Sequence, residues 1–428
     1  MPQAIKSPAL ALLGGPKAMP EPYMEVWPRI SEEEITAVIE LLRNGQVSIK
    51  DGTGVIGEFE RNWAAFIGSR FCLAQNNGTS AIHAGLFGLG VAPGDEVIVP
   101  SYTWLASVMP ILSLNAVPVF CEVDPHTLVA DARDIERKIT PQTKAIVVTH
   151  LWGNPVDMDA VMAVAQQHHL GVLEDCSHAH GATYKGKRIG GLGDVGAFSL
   201  QGSKAMVAGE GGAVLTDDPR IHDRMLVLGH PGRIKDGLIE DEFRGCEAGF
   251  GFKYRAHPLA MAIANVQLLR LEETNSQRRR CWEYLAGGLR GMPGVEVPAE
   301  YAGAVRGGFY GTRLIYHPEQ LDNLPVQTYI AALRAEGLQV DPDGFPLLHL
   351  SRIFCERINF AGKGYPFDGP NVKRAAPYGP GTLPVTEELH GRLLMLPTFT
   401  LAGTDILDQY LAAFRKVAEQ SRCLPCPT

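Results

Sequence analysis

A series of short, unbroken apolar runs, separated by stretches of helical spacing, constrains this chain more than any other feature. The runs lie at 96–99, 117–123, 145–149 and 171–174, the first directly after Pro93-Gly94-Asp95. Runs without polar alternation suit strands covered on both faces, as in a parallel sheet. Parallel neighbours need crossover connections, usually helices. Helical spacing occurs at 33–43, where Ile35, Val38, Ile39 and Leu42 recur, and again at 81–89 and 160–168. From about residue 31 to 270 the sequence predicts an α/β unit with a mostly parallel sheet flanked by helices.

Beyond residue 275 the pattern changes. Helical spacing at 278–289 gives way to a Gly- and Pro-rich stretch reaching 311, then a strand at 312–316. An amphipathic helix follows at 326–336, closed by Gly337, with a strand at 338–340. Residues 351–376 read as irregular. A final helix over 405–420 places Ile406, Leu407, Tyr410, Leu411, Phe414 and Val417 on one face, with Thr404 as its expected cap. The expected organisation is an N-terminal arm (1–30), a large domain (31–274) and a smaller C-terminal α+β domain (275–428). A chain of 428 residues has room for it.

Charge and composition narrow the function. The net charge is −8, and Arg278-Arg279-Arg280 is the longest basic run, so a nucleic-acid partner is not expected. No apolar run reaches membrane-spanning length. The eight cysteines are scattered and suggest no disulfide framework, and residues 1–6 lack the apolar core of a signal peptide, so a reducing cytoplasm is expected. The CxxC at Cys423 and Cys426 lacks a second pair, which leaves a terminal tail as its plain reading.

Three segments carry candidate chemistry. Asn77-Gly78-Thr79-Ser80 precedes a helix, where small residues and the helix dipole suit an anion, although Thr79 or Ser80 also reads as a plain cap. Asp175 ends a predicted parallel strand, where ligands of open α/β sheets gather, although a cap is an equal reading. Lys204, five positions after Ser199 and just before Gly209-Glu210-Gly211-Gly212, suits a Schiff-base lysine, which needs partial burial to free its amine, although an exposed surface lysine is the plain reading. Two other patterns read as decoys. The GxGxxG at 191–196 is followed by a strand-like stretch where a dinucleotide site needs a helix. Cys176, His178 and His180 would share one face of a strand but lack a fourth metal ligand, so no metal is expected.

In this order, the Gly-Thr-Ser segment, Trp104, Asp175, the Ser199–Lys204 spacing and the Gly-Glu-Gly-Gly turn resemble the sugar aminotransferases of the DegT/DnrJ/EryC1/StrS group. The likeness runs from Leu12-Leu13-Gly14-Gly15 to Leu394-Met395-Leu396-Pro397 and takes in Gly153-Asn154-Pro155-Val156-Asp157-Met158 and Gly251-Phe252-Lys253-Tyr254-Arg255. It implies a fold-type-I enzyme of pyridoxal 5'-phosphate. On that resemblance Lys204 would bond the cofactor, Asp175 would pair with its pyridine nitrogen and Trp104 would stack on its ring. Gly78, Thr79, Ser80 and Ser199 would hold its phosphate. His178 stands where the group commonly has Gln, Gln201 where many members have His, and Lys253 where many have an Asn that reaches the partner subunit's phosphate. These departures are similar to the cyclitol and aminoglycoside branch, which uses glutamine.

The expected activity is transfer of an amino group from glutamine or glutamate to a keto sugar or keto cyclitol, by a homodimer with shared sites. Arg255, Tyr310 and Tyr378 are the candidate substrate contacts, the tyrosines because they stand in Gly- and aromatic-rich loops. Two other outcomes stay open on sequence alone. One is a same-fold enzyme that dehydrates or aromatises its substrate. The other is an idle member that binds the cofactor or a nucleotide sugar as a regulator.

Overall fold

In the computed structural model, residues 9–246 and 248–425 are described. The predicted apolar runs become strands because each is buried on both sides. These are β2 (Glu96–Pro100), β3 (Val117–Cys121), β4 (Thr143–Thr149) and β5 (Gly171–Asp175), after β1 (Phe71–Gln75) at the front of the sheet. A hairpin of β6 (Thr183–Tyr184) and β7 (Lys187–Arg188) precedes β8 (Val195–Ser199) and β9 (Gly212–Thr216). The large sheet runs β1-β9-β8-β5-β4-β2-β3. Strands β8, β5, β4, β2 and β3 are parallel, while β9 is antiparallel to both β8 and β1.

Two cores sandwich this sheet. Ile98, Ile146 and Val172 point into one, with Phe59, Trp63 and Met261. Val97, Val99 and Val147 point into the other, with Ile82, Leu86 and Leu226. A third core lies under a four-stranded antiparallel sheet of β10 (Val295–Glu296), β12 (Thr312–Tyr316), β13 (Asp341–Pro342) and β14 (Leu393–Leu396). It holds Tyr316, Tyr329, Leu333 and Phe414, and the arm adds Leu10 and Met19. The short β11 (Ala304–Val305) pairs with β6, so the C-terminal half adds a strand to the β6–β7 hairpin and forms a separate three-stranded sheet with it.

Several expectations change. The helix Pro258–Leu289 runs unbroken through position 274, with Leu271 in the first core and Leu285 in the third. Residues 347–389 return to the large sheet, where Phe354, Phe367 and Leu383 join its core. The strand expected at 338–340 forms just beyond that range, as β13 at Asp341–Pro342. The last helix is Thr404–Glu419. Its cap is Gly403, which has no side chain to bond, so Thr404 is the first helical residue. Cys423 is exposed, and Cys426 lies outside the described residues, as do residues 1–6. Among the described residues no helix is long and apolar enough to cross a membrane.

Candidate active site

The carboxyl ends of β5 and β8 and the N-terminus of the helix Gly78–Gly88 converge on a chamber of about 320 Å³. Asp175 is the last residue of β5, so the strand delivers its side chain to the chamber floor. Its Oδ2 accepts from the Ser107 hydroxyl at 2.6 Å and its Oδ1 from the Ser177 amide at 3.1 Å. Across the chamber Lys204 is only 8% exposed, with Nζ 3.9 Å from the centre of the Tyr310 ring. Burial pushes the Lys204 pKa down to about 8, against the opposing pull of Asp175.

The anion end is built from backbone. Asn77 caps the helix, its Oδ1 accepting from the Ser80 amide at 2.7 Å. Ser80 donates its hydroxyl to Asn76 Oδ1 at 2.6 Å and to Asn77 O at 2.8 Å. Ser80 therefore has no hydroxyl hydrogen left for a ligand and does not line the chamber, which corrects its expected role. Asn77, Gly78, Thr79 and Ser199 do line it. A Cβ on Gly78 would lie 2.6 Å from Ser199 Cβ, so only glycine lets these two backbones meet here. Gln201 also lines the chamber, with its Oε1 accepting from the Ser203 amide at 2.8 Å.

Aromatic rings form the walls. Trp104 stands half-exposed against Phe345, with ring centres 5.4 Å apart. His178 stacks on Tyr310 at 4.2 Å and on Trp152 at 5.1 Å. Its Nδ1 is buried without a hydrogen-bond partner. Burial, with Lys204 and Arg313 adding to it, drives the His178 pKa well below its usual value, so the ring is neutral.

The chamber thus offers an amine, a carboxylate, an orphaned imidazole nitrogen and a helix N-terminus. That set fits a flat ring with an aldehyde, a ring nitrogen, a hydroxyl and a phosphate tail. The DegT/DnrJ/EryC1/StrS aminotransferase family profile matches residues 28–366. The chain belongs to this family.

Relatives agree along almost the whole length of the aminotransferase. It is 34% identical over 409 residues to an L-glutamine:2-deoxy-scyllo-inosose aminotransferase of Streptoalloteichus tenebrarius, covering 92% of this chain and 94% of that one. It is 35% identical over 424 residues to a protein of the same name from Streptomyces lividus, covering 96% and 97%. Among solved structures, an aminotransferase from Psychrobacter cryohalolentis superimposes with a TM-score of 0.79 at 28% identity, covering 94% of this chain and 100% of that one.

Other candidates fall elsewhere in the aminotransferase. Tyr378 packs against Phe120, Phe354 and Phe367 and donates its hydroxyl to Pro118 O at 2.7 Å. It is core behind the sheet, which corrects its assignment as a substrate contact. Lys253 and Arg255 line a neighbouring cavity with Ser48, Asn76 and Glu210. Glu210 alone among those five also lines the Lys204 chamber.

The decoys have physical explanations. Strand β5 ends at Asp175, so Cys176, His178 and His180 share no strand face. The cluster that forms is His150, Glu174 and Cys176. His150 Nδ1 accepts from the Val156 amide, so Nε2 donates to Glu174 at 3.0 Å. Glu174 also accepts from the amides of Gly190, Leu192 and Gly193. The glycine loop at 190–193 therefore wraps the protein's own carboxylate and no nucleotide phosphate.

Sequence reasoning missed Ser107, Trp152, Arg313 and Phe345. Arg313 did leave a signal, as the one charged residue in the mostly buried strand β12.

Proposed function

We propose that the chain takes the amino group of glutamine, with pyridoxal 5'-phosphate as cofactor, and delivers it to the carbonyl carbon of a keto cyclitol. The observation that carries this reading is Lys204, a buried amine with its pKa brought down to about 8 across the chamber from the carboxylate Asp175. The named activity of the relatives supports the choice of donor and acceptor. Bound in the chamber, the cofactor supplies an electron sink for the pair released when the donor's C–H bond breaks.

The chain's own groups do the rest. At pH 7 roughly a tenth of Lys204 is the free amine, enough to take a proton from the donor carbon and return one elsewhere. Asp175, fixed by Ser107 and Ser177, accepts a hydrogen bond from a ring N–H. Neutral His178 has Nδ1 free to meet a ring hydroxyl. The free amides at Gly78 and Thr79, with Ser199, bind the phosphate. The balance closes without an outside oxidant. Glutamine becomes its 2-oxo acid and the ketone becomes an amine, in two half-reactions at one site.

In this reading the active form is a homodimer, with Lys253 and Arg255 serving the chamber of a second copy. The test is direct. Purified protein given the cofactor and glutamine should release the 2-oxo acid and, on addition of 2-deoxy-scyllo-inosose or a related ketone, a product with the mass of the amino cyclitol. Cofactor binding without 2-oxo acid release would leave only a binding protein.

A further inference from the structure

A second chamber, of about 810 Å³, adjoins the first and shares Ser203, Tyr310 and Phe345 with it. Glu25 and Trp27 of the arm line it, together with Trp152 and Arg313. Arg313 is the second residue of β12 and is only 3% exposed. Its Nε and Nη2 both engage Asp343 Oδ1 at 2.9 Å, and its guanidinium lies 3.5 Å from the centre of the Trp152 ring. The remaining nitrogen, Nη1, is buried and has no hydrogen-bond partner. Buried Arg278 and Arg306 meet backbone carbonyls instead, at Gly308 and Pro298. A Cβ at position 311 would lie 2.7 Å from Arg313 Nη1, so Gly311 keeps the space beside that nitrogen open.

An unsatisfied buried donor is costly and is normally paired. Here the geometry leaves room for an acceptor to arrive with a ligand. Asp343 cancels the guanidinium charge and would repel a carboxylate or phosphate placed beside it. A neutral oxygen suits the position. Trp152 and Tyr310, parallel to within 4° with centres 6.2 Å apart, both line this chamber and add apolar ring surface to its wall beside Arg313. Lys204 Nζ lies over Tyr310, at the boundary between the two chambers.

We propose that this second chamber seats the keto acceptor and that Arg313 Nη1 selects it by donating to one ring hydroxyl. The proposal rests on the reading of the chain as a keto-cyclitol aminotransferase. Arg313→Lys keeps a cation for Asp343 and loses the second branch of the fork, while Arg313→Gln keeps a neutral donor if the lysine variant does not fold. The two half-reactions are followed separately by cofactor absorbance. The expected result is a rise in the acceptor KM of roughly tenfold to a hundredfold, the usual worth of a hydrogen bond to a charged group, with the glutamine half-reaction within twofold of wild type. Acceptors lacking one hydroxyl at a time should include one that weakens wild type and leaves the variant indifferent.

Equal losses in both half-reactions would assign Arg313 to the donor or to the fold and overturn the proposal. So would a variant that responds to every deoxy acceptor as wild type does. A wild-type protein that consumes glutamine yet aminates no keto cyclitol would overturn the acceptor reading itself, an outcome distinct from both.

Discussion

Lys204 owes its chemistry to where the chain buries it. An amine with a pKa of about 8 should capture the cofactor's aldehyde faster as pH rises, and the rate should level off above about 8. The sign follows from desolvation, which favours the neutral amine. Stopped-flow absorbance of the cofactor-free protein mixed with pyridoxal phosphate between pH 6 and 10 would show the inflection, and an inflection near the ordinary lysine value of 10.5 would contradict the burial argument. Lys204→Ala should lose both covalent capture and transamination. Borohydride reduction of wild type and peptide mapping should place the cofactor on Lys204, and finding it on Lys185, Lys187 or Lys253 would reject the assignment. Asp175→Asn keeps the shape and removes the charge facing the ring, so a loss in kcat of roughly a hundredfold is expected with the cofactor still bound. Activity within a few-fold of wild type would reduce Asp175 to a structural group. At this scale the sequence was readable where position follows the backbone locally, since Gly78 at a helix start and Asp175 at a strand end both line the chamber. It was not readable at Ser80, because Asn77 is also a cap-former in the same small-residue run. Nor was it at Tyr378, because an aromatic loop residue looks alike whether it faces a ligand or the core.

Among elements, the glycine loop at 190–193 and the segment at 347–389 show how the site is braced. Glu174 collects three loop amides and the imidazole of His150 at zero side-chain exposure. Glu174→Gln removes the charge that these donors share, and the expected cost is about 3–5 kcal/mol, read as a lower denaturant midpoint. An unchanged midpoint would mean that the loop stands without its carboxylate. Ser101, His349 and Glu387 form a second relay, with Ser101 Oγ 2.7 Å from His349 Nδ1 and His349 Nε2 3.0 Å from Glu387. Its residue types match those of a hydrolytic triad, but Ser101 and His349 are fully buried and line neither of the two chambers. It fastens the 347–389 segment to the end of β2, beside the loop carrying Thr103 and Trp104. Strands β2 to β5 were legible because both of their faces are buried and each carries an unbroken apolar run, polar residues falling at the strand ends. Strands β1 and β9 were not read, because Ala and Gln in β1 and Gly, Ala and Thr in β9 interrupt the apolar run. The return of 347–389 to the large sheet was hidden because a contact made across hundreds of residues leaves no local periodicity.

On the scale of the whole molecule, the placement of Lys253 and Arg255 in a cavity beside the Lys204 chamber makes assembly testable. Lys204→Ala protein mixed with Arg255→Ala protein should regain up to about a quarter of wild-type activity, since half of randomly mixed dimers are hybrids and each hybrid has one intact site. No recovery after confirmed subunit exchange would assign each site to a single chain. The helix Pro258–Leu289 bears on a different question. Its 32 residues make a rod of about 48 Å, rooted at one end in the large-sheet core and at the other in the C-terminal core. A rod shared by two bodies resists bending at its middle, so the C-terminal body cannot swing like a jaw about position 274. Admission of substrate then falls to smaller parts, such as the arm residues Glu25 and Trp27, and small-angle scattering curves taken with and without substrate should superimpose.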